Sequence, residues 1–547
     1  LKEKEKNPAD KPYILVEYAH AMGNAMGNLL DYWKIINEFD HICGGFIWEW
    51  CDHSLWNEKQ QKYMYGGDFH DFPNSSNFCV DGVVTADRRC TPKYLETWSV
   101  YQYIQTRWKA DSGEILIKNS YFHSGLTPYY CMIDILENGN IVSSQKIENL
   151  EAEPGEEVSI RLENLMDYSG ECFVNLHFYS KDNFHGIRKD HCVAASQHLI
   201  HENRMVQVQK RDEINITPFE EENNFILSNE KNTKLIMDKK SGKVIFWIQN
   251  GIRFVDTNEC ASGEKLSISR AYTDNDLHSE SYLMKTGWRD LNLADMDSKI
   301  QEVKCYRNGI AVHRSYGNTY VGIHEYILYS MTDEGTLIKD MYIQPYGTIR
   351  NLPRIGHELV LDTELEKVEW YGRGPGENYP DRKNSTLVGY YEGNVSDDEF
   401  YIFPQEYGSH QDVRWIKLTD GKRNQVYLSS NRLIAFSVRR ETDRLLSEKL
   451  NISELKQKKG AVLELDYAVS GLGNASCGTD VMEKYQVIPA PISIQVVYGS
   501  RRINFEAIDL HDVFEIDDDL QIKGRCGVNE SKYVDPSDAE SRTKAGF

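Results

Sequence analysis

Three side chains near the N-terminus have the types and spacing to act on a sugar. Glu17 ends a short apolar run, His20 follows it in a loop, and Trp48 lies near the end of a second apolar run. A carboxylate can attack an anomeric carbon, an imidazole can bind hydroxyls, and an indole can cover the C–H face of a sugar ring. Together they favour carbohydrate binding and hydrolysis.

The elements that must position these side chains are a strand, a helix and a second strand. We predict a strand over Tyr13–Val16, a helix over Ala25–Phe39 and a strand over Gly45–Trp50, from apolar spacing. Parallel strands need such a crossover, and in a (β/α)8 barrel the carboxyl ends of the strands form the active face. The three side chains should therefore share one cavity.

Only two barrel strands are visible, and they end by about residue 110, whereas a barrel needs eight. We predict that residues 1–110 are the C-terminal part of a TIM barrel, strands 7 and 8. The remaining strands would come from an upstream N-terminal half, the expected partner. Without it, strand edges and inner apolar faces would be exposed.

The rest of the chain reads as β-structure, so the predicted fold class is multidomain and mostly β. Alternating runs with a hairpin signal at Glu137–Asn140 predict an immunoglobulin-like β-sandwich over residues 111–210. Many longer strands predict a large β-sandwich over residues 211–500. Residues 501–547 are acidic and polar, and we expect a disordered tail or the start of another module there.

The composition of the chain excludes some classes of binding partner and indicates its cellular compartment. The formal charge of −22 disfavours nucleic acid and anionic membranes, and no run approaches the length of a membrane helix. Eleven cysteines without a CxxC pair indicate free thiols in a reducing compartment, so we expect a cytoplasmic protein.

Six longer motifs resemble the large bacterial β-galactosidases of glycoside hydrolase family 2. In the barrel segment they are EYAHAMGN (Glu17–Asn24), GGFIWEW (Gly44–Trp50) and YGGDF (Tyr65–Phe69). Downstream, SRAYTDND (Ser269–Asp276), GRGPGENYPDR (Gly372–Arg382) and FPQEYGSHQDVRW (Phe403–Trp415) match the small-chain domain of that family. The resemblance implies retaining hydrolysis of terminal β-D-galactosides such as lactose, by an enzyme that is a homo-oligomer when complete.

The resemblance also implies roles for individual residues. Glu17 matches the catalytic nucleophile at the end of barrel strand 7. The implied substrate-binding residues are Tyr18, His20, Trp48 and Asp81.

Metal sites are implied in the same way. In the family, an FCxNG loop gives a sodium ion one backbone carbonyl and one side-chain oxygen. Here Phe78 would give the carbonyl, and Asp81 replaces the usual asparagine. Asn74 falls where the family has a peripheral magnesium ligand, and the ligands of the catalytic-site magnesium would lie mostly upstream.

A retaining glycosidase needs a second carboxyl group as acid/base. Glu49 lies between Trp48 and Trp50, but strand alternation should turn its side chain away from Trp48. We therefore expect the acid/base glutamate on the upstream segment. Because losing a positioned acid costs on the order of 10²–10⁴-fold, the chain alone should be nearly inactive.

Three further positions carry expectations. Leu277-His278 follows the DND triplet where the family has a glycine hinge, and Cys477 stands where some members have a tryptophan that binds the aglycone. Asp412 and Arg414 are expected to form a structural ion pair.

Two alternatives remain open. The chain could be a non-catalytic carbohydrate-binding or scaffold protein that kept barrel remnants. It could also have another family 2 specificity, such as β-glucuronidase, which would require a basic residue for the sugar carboxylate. Galactosidase activity that appears on adding an upstream half would separate these readings.

Overall fold

The computed structural model describes residues 11–162, 168–183, 186–202, 208–257, 263–278, 288, 291–363, 365–395, 401–455 and 460–516. Within these ranges the chain is mostly β-strand with a few short helices. Among the helices of these ranges, none has the length and apolar character needed to cross a membrane.

The barrel segment is a strand–helix–strand unit, as predicted. It contains, in chain order, β1 (Tyr13–Tyr18), α1 (Leu29–Glu38), β2 (Ile42–Ile47), β3 (Leu55–Asn57), β4 (Lys62–Met64) and α2 (Pro92–Val100). β1 and β2 pair in parallel with Tyr13 opposite Ile42, and α1 makes the crossover between them. Tyr18 and Leu29 pack in one cluster under both helices, which fixes the helices on one side of the two strands.

Helix α1 begins at Leu29, four residues later than the predicted start at Ala25. Met26 and Asn28 have φ angles of 64° and 52°, in the left-handed region that interrupts a right-handed helix. A Cβ on Gly27 would lie 1.9 Å from a carboxylate oxygen of Asp381, so this position requires glycine. Residues 20–28 are therefore a loop shaped by its contact with the C-terminal part of the chain.

The face of the two barrel strands opposite the helices is open to solvent. Ile14, Val16 and Phe46 are 47%, 76% and 67% exposed. Within the described residues, β1 and β2 form a sheet of only two strands. The prediction of exposed apolar faces and free strand edges in this segment is confirmed.

The next segment consists of two antiparallel sheets that share one apolar core. Its strands are β5 (Ile104–Lys109), β6 (Glu114–Asn119), β7 (Tyr129–Glu137), β8 (Asn140–Ile147), β9 (Glu157–Arg161), β10 (Cys172–Ser180) and β11 (Cys192–His201). The predicted hairpin joins β7 and β8 through Asn138 and Gly139, whose φ angles of 50° and 85° suit a two-residue turn.

The remaining segment also has two main sheets, of five and twelve strands, around one large core. Its elements are β12 (Val208–Gln209), β13 (Phe219–Glu221), β14 (Asn224–Ser228), β15 (Thr233–Asp238), β16 (Val244–Gln249), β17 (Ile252–Asp256), β18 (Gly263–Ser267), α3 (Asp274–His278), β19 (Ser298–Tyr306), β20 (Gly309–Gly317), β21 (Gly322–Met331), β22 (Leu337–Tyr346), β23 (Arg354–Leu361), β24 (Lys367–Gly374), β25 (Leu387–Asn394), β26 (His410–Thr419), β27 (Gln425–Arg439), α4 (Asp443–Ser447), β28 (Ala461–Val469), β29 (Ile492–Gly499) and β30 (Asn504–Phe505). Trp247 is fully buried between the sheets.

Part of the segment expected to be a tail is packed on the large sheet. Strand β30 pairs in parallel with β12, and Leu510 and Phe514 lie in a cluster with Tyr326. Apolar side chains within residues 501–516 are therefore buried, although acidic residues stand next to them in the sequence. Residues 517–547 lie outside the described residues.

A buried polar seam, formed by residues 20–28 and the loops at 377–382, 401–408 and 471–474, joins the barrel segment to the large β-segment. The Arg382 guanidinium donates to the Ala25 carbonyl at 2.8 Å and to the Glu377 carboxylate at 2.7 Å. Asn24 donates its side-chain amide to the Glu406 carbonyl at 2.7 Å. The two Asp381 oxygens accept backbone N–H groups at 472 and 473, each at 2.9 Å.

We predict that Arg382→Met destabilises the chain by about 3–5 kcal/mol, because it leaves the buried Glu377 charge without its cation. Chemical denaturation in urea measures this change. The matched control is Arg444→Met, which removes an exposed arginine that pairs with Glu448 at 3.0 Å and should leave the midpoint unchanged. Equal midpoints for the two variants would show that the Arg382 pair does not stabilise the seam.

Candidate functional site

Asp81 is the centre of the candidate site. Trp48 donates its indole N–H to Asp81 Oδ2 at 3.1 Å, and His20 Nε2 lies 3.7 Å from the same oxygen. His20 and Asp81 are buried, while Trp48 is 41% exposed. The structure therefore brings together three of the residues that the sequence predicted at this site.

The backbone around Asp81 is held by the ends of the barrel strands. The Glu49 N–H donates to the Asp81 carbonyl at 2.9 Å, and the Gly82 N–H donates to Asp52 Oδ1 at 2.9 Å. The Ala21 N–H donates to the Trp48 carbonyl at 2.7 Å. These bonds fix the loops after β1 and β2 and the loop containing Asp81 relative to one another.

Glu17 lies near the end of β1, and its side chain is exposed. Burial raises the pKa of the Cys477 thiol, and the charges of Glu17 and Asp81 raise it further. Cys477 is therefore within electrostatic range of both Glu17 and Asp81. Cys477 is exposed and belongs to the same region of the surface as the predicted nucleophile.

The two buried titratable groups have shifted pKa values. Burial raises the pKa of Asp81 to about 7, and the neighbouring Glu49 carboxyl group adds to the shift, whereas the bond from Trp48 opposes it. Burial lowers the pKa of His20 to about 4, and the positive charge of Lys93 contributes to the shift. His20 is therefore neutral at pH 7, so its ring offers one N–H donor and one acceptor, which suits hydroxyl groups.

The expectation that Glu49 points away from Trp48 is wrong. The Glu49 carboxyl group raises the pKa of Asp81, the same residue that accepts the Trp48 indole N–H. A carboxylate oxygen of Glu49 also lies 3.3 Å from His53 Nδ1. Strand β2 ends at Ile47, so the side-chain alternation of a strand does not extend to residues 48 and 49.

Tyr18 lies in the helix layer rather than beside Asp81. Its hydroxyl hydrogen-bonds to the Tyr101 hydroxyl at 2.5 Å and accepts the Trp33 indole N–H at 2.9 Å. Only 6% of the residue is exposed. Tyr18 is buried although Val16, two residues earlier, is 76% exposed, because the pairing of β1 with β2 is irregular between Leu15 and Tyr18.

Asn74 and Phe78 lie in the loop that precedes Asp81. Asn74 is exposed and closes a turn, accepting the Ser76 N–H at 3.0 Å. The Phe78 ring lies 4.7 Å from the His278 ring and 6.4 Å from the His20 ring, between centroids. His278 therefore reaches the predicted site, although the sequence assigned it only to a hinge.

The predicted ion pair between Asp412 and Arg414 is wrong. Arg414 pairs with Glu171 at 2.6 Å, while Asp412 pairs with Lys383 at 3.3 Å and with Arg373 at 2.5 Å. Asp412 has a φ of 55° at an irregularity of β26, so the two side chains do not share a face. Their charges instead join β26 to neighbouring elements.

The oxygens near Asp81 fit a hard cation. Asp81 Oδ1 is buried and has no hydrogen-bond partner among the described residues. A carboxylate oxygen with this environment is costly to bury unless a cation or proton reaches it. Hard cations are bound by carboxylate and carbonyl oxygens, and the Phe78 carbonyl belongs to the same loop.

Lys93 and Asp52 were missed by the sequence reading. Both are buried, and both contact loops of the site. Lys93 lies in the first turn of α2, where an exposed helix end was the ordinary expectation. In the sequence, the one feature that pointed to a role for Lys93 was its position after Pro92, at the start of a helix that would close the barrel segment.

Three family models match the chain in order. They are the TIM barrel domain of glycosyl hydrolases family 2 over residues 1–106, beta-galactosidase domain 4 over residues 115–201, and the beta galactosidase small chain over residues 229–498. The three models together match most of the chain, which thus resembles the β-galactosidases of glycoside hydrolase family 2 along most of its length. The predicted resemblance is thereby confirmed.

Several similar curated proteins are named beta-galactosidase. The protein of Priestia megaterium is 29% identical over 421 residues, covering 75% of this chain and 40% of its own length. The protein of Actinobacillus pleuropneumoniae is 27% identical over 503 residues, with coverages of 89% and 47%. The chain thus spans about half the length of the curated relatives it matches.

Among solved structures, a galactose 1-epimerase from Lactobacillus acidophilus aligns with a TM-score of 0.30 and 10% identity, over 52% of this chain and 97% of its own. A score that low carries no argument.

The pKa of Asp81 predicts a pH-dependent effect of Asp81→Asn on stability. Between pH 4 and 7 the Asp81 carboxyl group keeps its proton in the folded chain and loses it in the unfolded chain. The free energy of unfolding therefore falls as pH rises through this window. The variant should therefore be more stable than the wild type by about 2 kcal/mol at pH 8, with the gain absent near pH 4. Denaturation in urea across this range, in buffer without metal ions, measures the difference.

The control is Asp111→Asn, at an exposed turn, which should show no such pH trend. A constant difference between Asp81→Asn and the wild type across the range would contradict the shifted pKa.

Proposed function

We propose that this chain is the C-terminal portion of a retaining β-galactosidase that hydrolyses terminal β-D-galactosides such as lactose. The observation that carries the proposal is the convergence of His20 and Trp48 on Asp81, in a region where Cys477 is influenced by the charges of both Asp81 and Glu17. The relatives' names support galactoside as the substrate. This arrangement offers a carboxylate nucleophile beside groups that bind hydroxyls and an apolar sugar face.

In this proposal Glu17 attacks the anomeric carbon and forms a covalent glycosyl intermediate, which water then hydrolyses. Neutral His20 exchanges hydrogen bonds with sugar hydroxyls, and the half-exposed Trp48 ring packs on the sugar. Tyr18 has no direct role, because its hydroxyl is engaged in the helix layer. The acid/base glutamate lies on an upstream segment, so this chain alone should turn over substrate poorly.

We propose that Asp81 and the Phe78 carbonyl hold a sodium ion, as the unpartnered Asp81 oxygen supports. When bound, the ion would supply a positive charge for sugar hydroxyl oxygens. The role of Asn74 as a peripheral magnesium ligand stays a prediction. In the structure its amide oxygen accepts a backbone N–H. The catalytic magnesium on upstream ligands, the homo-oligomeric state and the cytoplasmic location also stay predictions.

Co-expression tests the function directly. We expect that the chain alone has negligible activity on a chromogenic β-galactoside, and that adding the preceding portion of the Priestia megaterium relative produces activity. Glu17→Gln should abolish it in the combined protein, because Gln has no nucleophilic carboxylate. Glu58→Gln, at an exposed position of the turn between β3 and β4, should leave it unchanged.

A fluorinated galactoside that traps the covalent intermediate locates the nucleophile. The label should appear on the peptide containing Glu17. A label on another peptide, or saturable sugar binding without any activity in the combined protein, would overturn the proposal. The second outcome would favour a non-catalytic carbohydrate-binding protein.

A further inference from the structure

Lys93 is a buried cation beside the candidate site. Only 3% of the residue is exposed, and its ammonium donates to the Ala21 carbonyl at 2.6 Å. The centroid of the Tyr401 ring lies 5.9 Å from this ammonium. A buried ammonium is costly unless opposite charges surround it.

The position of Lys93 on its helix increases this cost. Lys93 follows Pro92 in the first turn of α2, whose N-cap is Thr91. The N-terminal end of a helix carries a partial positive charge, which disfavours a cation there. The residue is therefore stabilised by something other than its helix.

Three carboxylates provide that stabilisation. Burial holds the pKa of Lys93 below its usual value, the carboxylates of Asp52, Asp274 and Asp81 offset part of this shift, and the Arg382 charge adds to it. A small enclosed cavity is lined by Lys93, Asp52 and Asp274 together. One positive charge therefore faces three acidic groups.

The groups around Lys93 lead to two loops of the candidate site, the one that follows His20 and the one that contains Asp81. Ala21 follows His20, so the bond from Lys93 fixes the backbone beside the imidazole. Asp52 Oδ1 accepts the N–H of Gly82, the residue after Asp81. Asp274 accepts the side-chain amide of Asn77 at 2.7 Å, at the start of the same loop.

We propose that Lys93 is a positioning residue that sets the His20 loop and the Asp81 loop relative to each other through one fixed buried charge. This inference rests on the proposed function only where it concerns sugar affinity. Lys93 does not touch the sugar in this account. Its ammonium attracts Asp52 and Asp274 and donates to the Ala21 carbonyl, and these groups fix the two loops. The affinity for the sugar therefore depends on the charge at position 93.

The first test measures the affinity of the co-expressed protein for a thio-β-galactoside by calorimetry. Lys93→Met keeps the length of the side chain without its charge and should weaken binding by about tenfold or more. Lys93→Arg keeps the charge and should retain most of the affinity. Lys34→Met removes an exposed lysine from α1 and should have no effect.

The second test needs no substrate and uses this chain as it stands. Hydrogen–deuterium exchange should accelerate in the peptides covering residues 20–24 and 77–82 of Lys93→Met and stay unchanged in Lys34→Met. If Lys93→Met does not fold, Asp52→Asn removes one counter-charge while keeping the acceptor for Gly82. It should accelerate exchange in the same peptides.

Several outcomes would overturn the proposal. They are wild-type affinity in Lys93→Met, an equal loss in Lys93→Arg, and unchanged exchange in both peptides. If the wild-type combined protein binds no galactoside, the proposed function fails, and the exchange measurement still decides the role of Lys93.

Discussion

The buried polar seam between residues 20–28 and the C-terminal β-segment is the constraint on which the candidate site depends. Arg382 and Asn24 make side-chain hydrogen bonds across it, the Asp381 carbonyl accepts the Asn28 N–H at 2.6 Å, and all three residues are almost completely buried. A buried polar group without its partner costs far more than a satisfied hydrogen bond contributes. The seam therefore permits one arrangement of the loop and disfavours the alternatives.

This constraint explains why a loop with many helix-forming residues is not a helix. Gly23 and Gly27 allow carboxylates of the C-terminal segment to approach the backbone within distances that a Cβ would block. Helix α1 starts only after these contacts end, at Leu29. Long-range packing thus decides the local structure that places His20, and the sandwich contributes to the site without supplying Glu17 or Trp48.

Local signals in the sequence predicted the elements well. The barrel strands, the crossover helix and the hairpin at Asn138–Gly139 follow from apolar spacing and turn residues, and the structure contains all of them. The predictions that failed depended on side-chain direction at element ends. Glu49 lies beyond the last residue of β2, and Asp412 sits at an irregularity of β26, so strand alternation misplaced both.

The convergence on Asp81 was predicted from motifs, but its charge environment could not be. Lys93 and Asp52 are far from Asp274 in sequence, and a buried lysine in a first helical turn resembles an exposed one until the fold is known.

Burial also divides the site into two parts. His20 and Asp81 are already desolvated by this chain, which strengthens their electrostatic interactions. Glu17 and Trp48 are exposed to solvent, so in the proposed enzyme an upstream barrel segment would have to exclude water before the Glu17 carboxylate could act in an enclosed cavity.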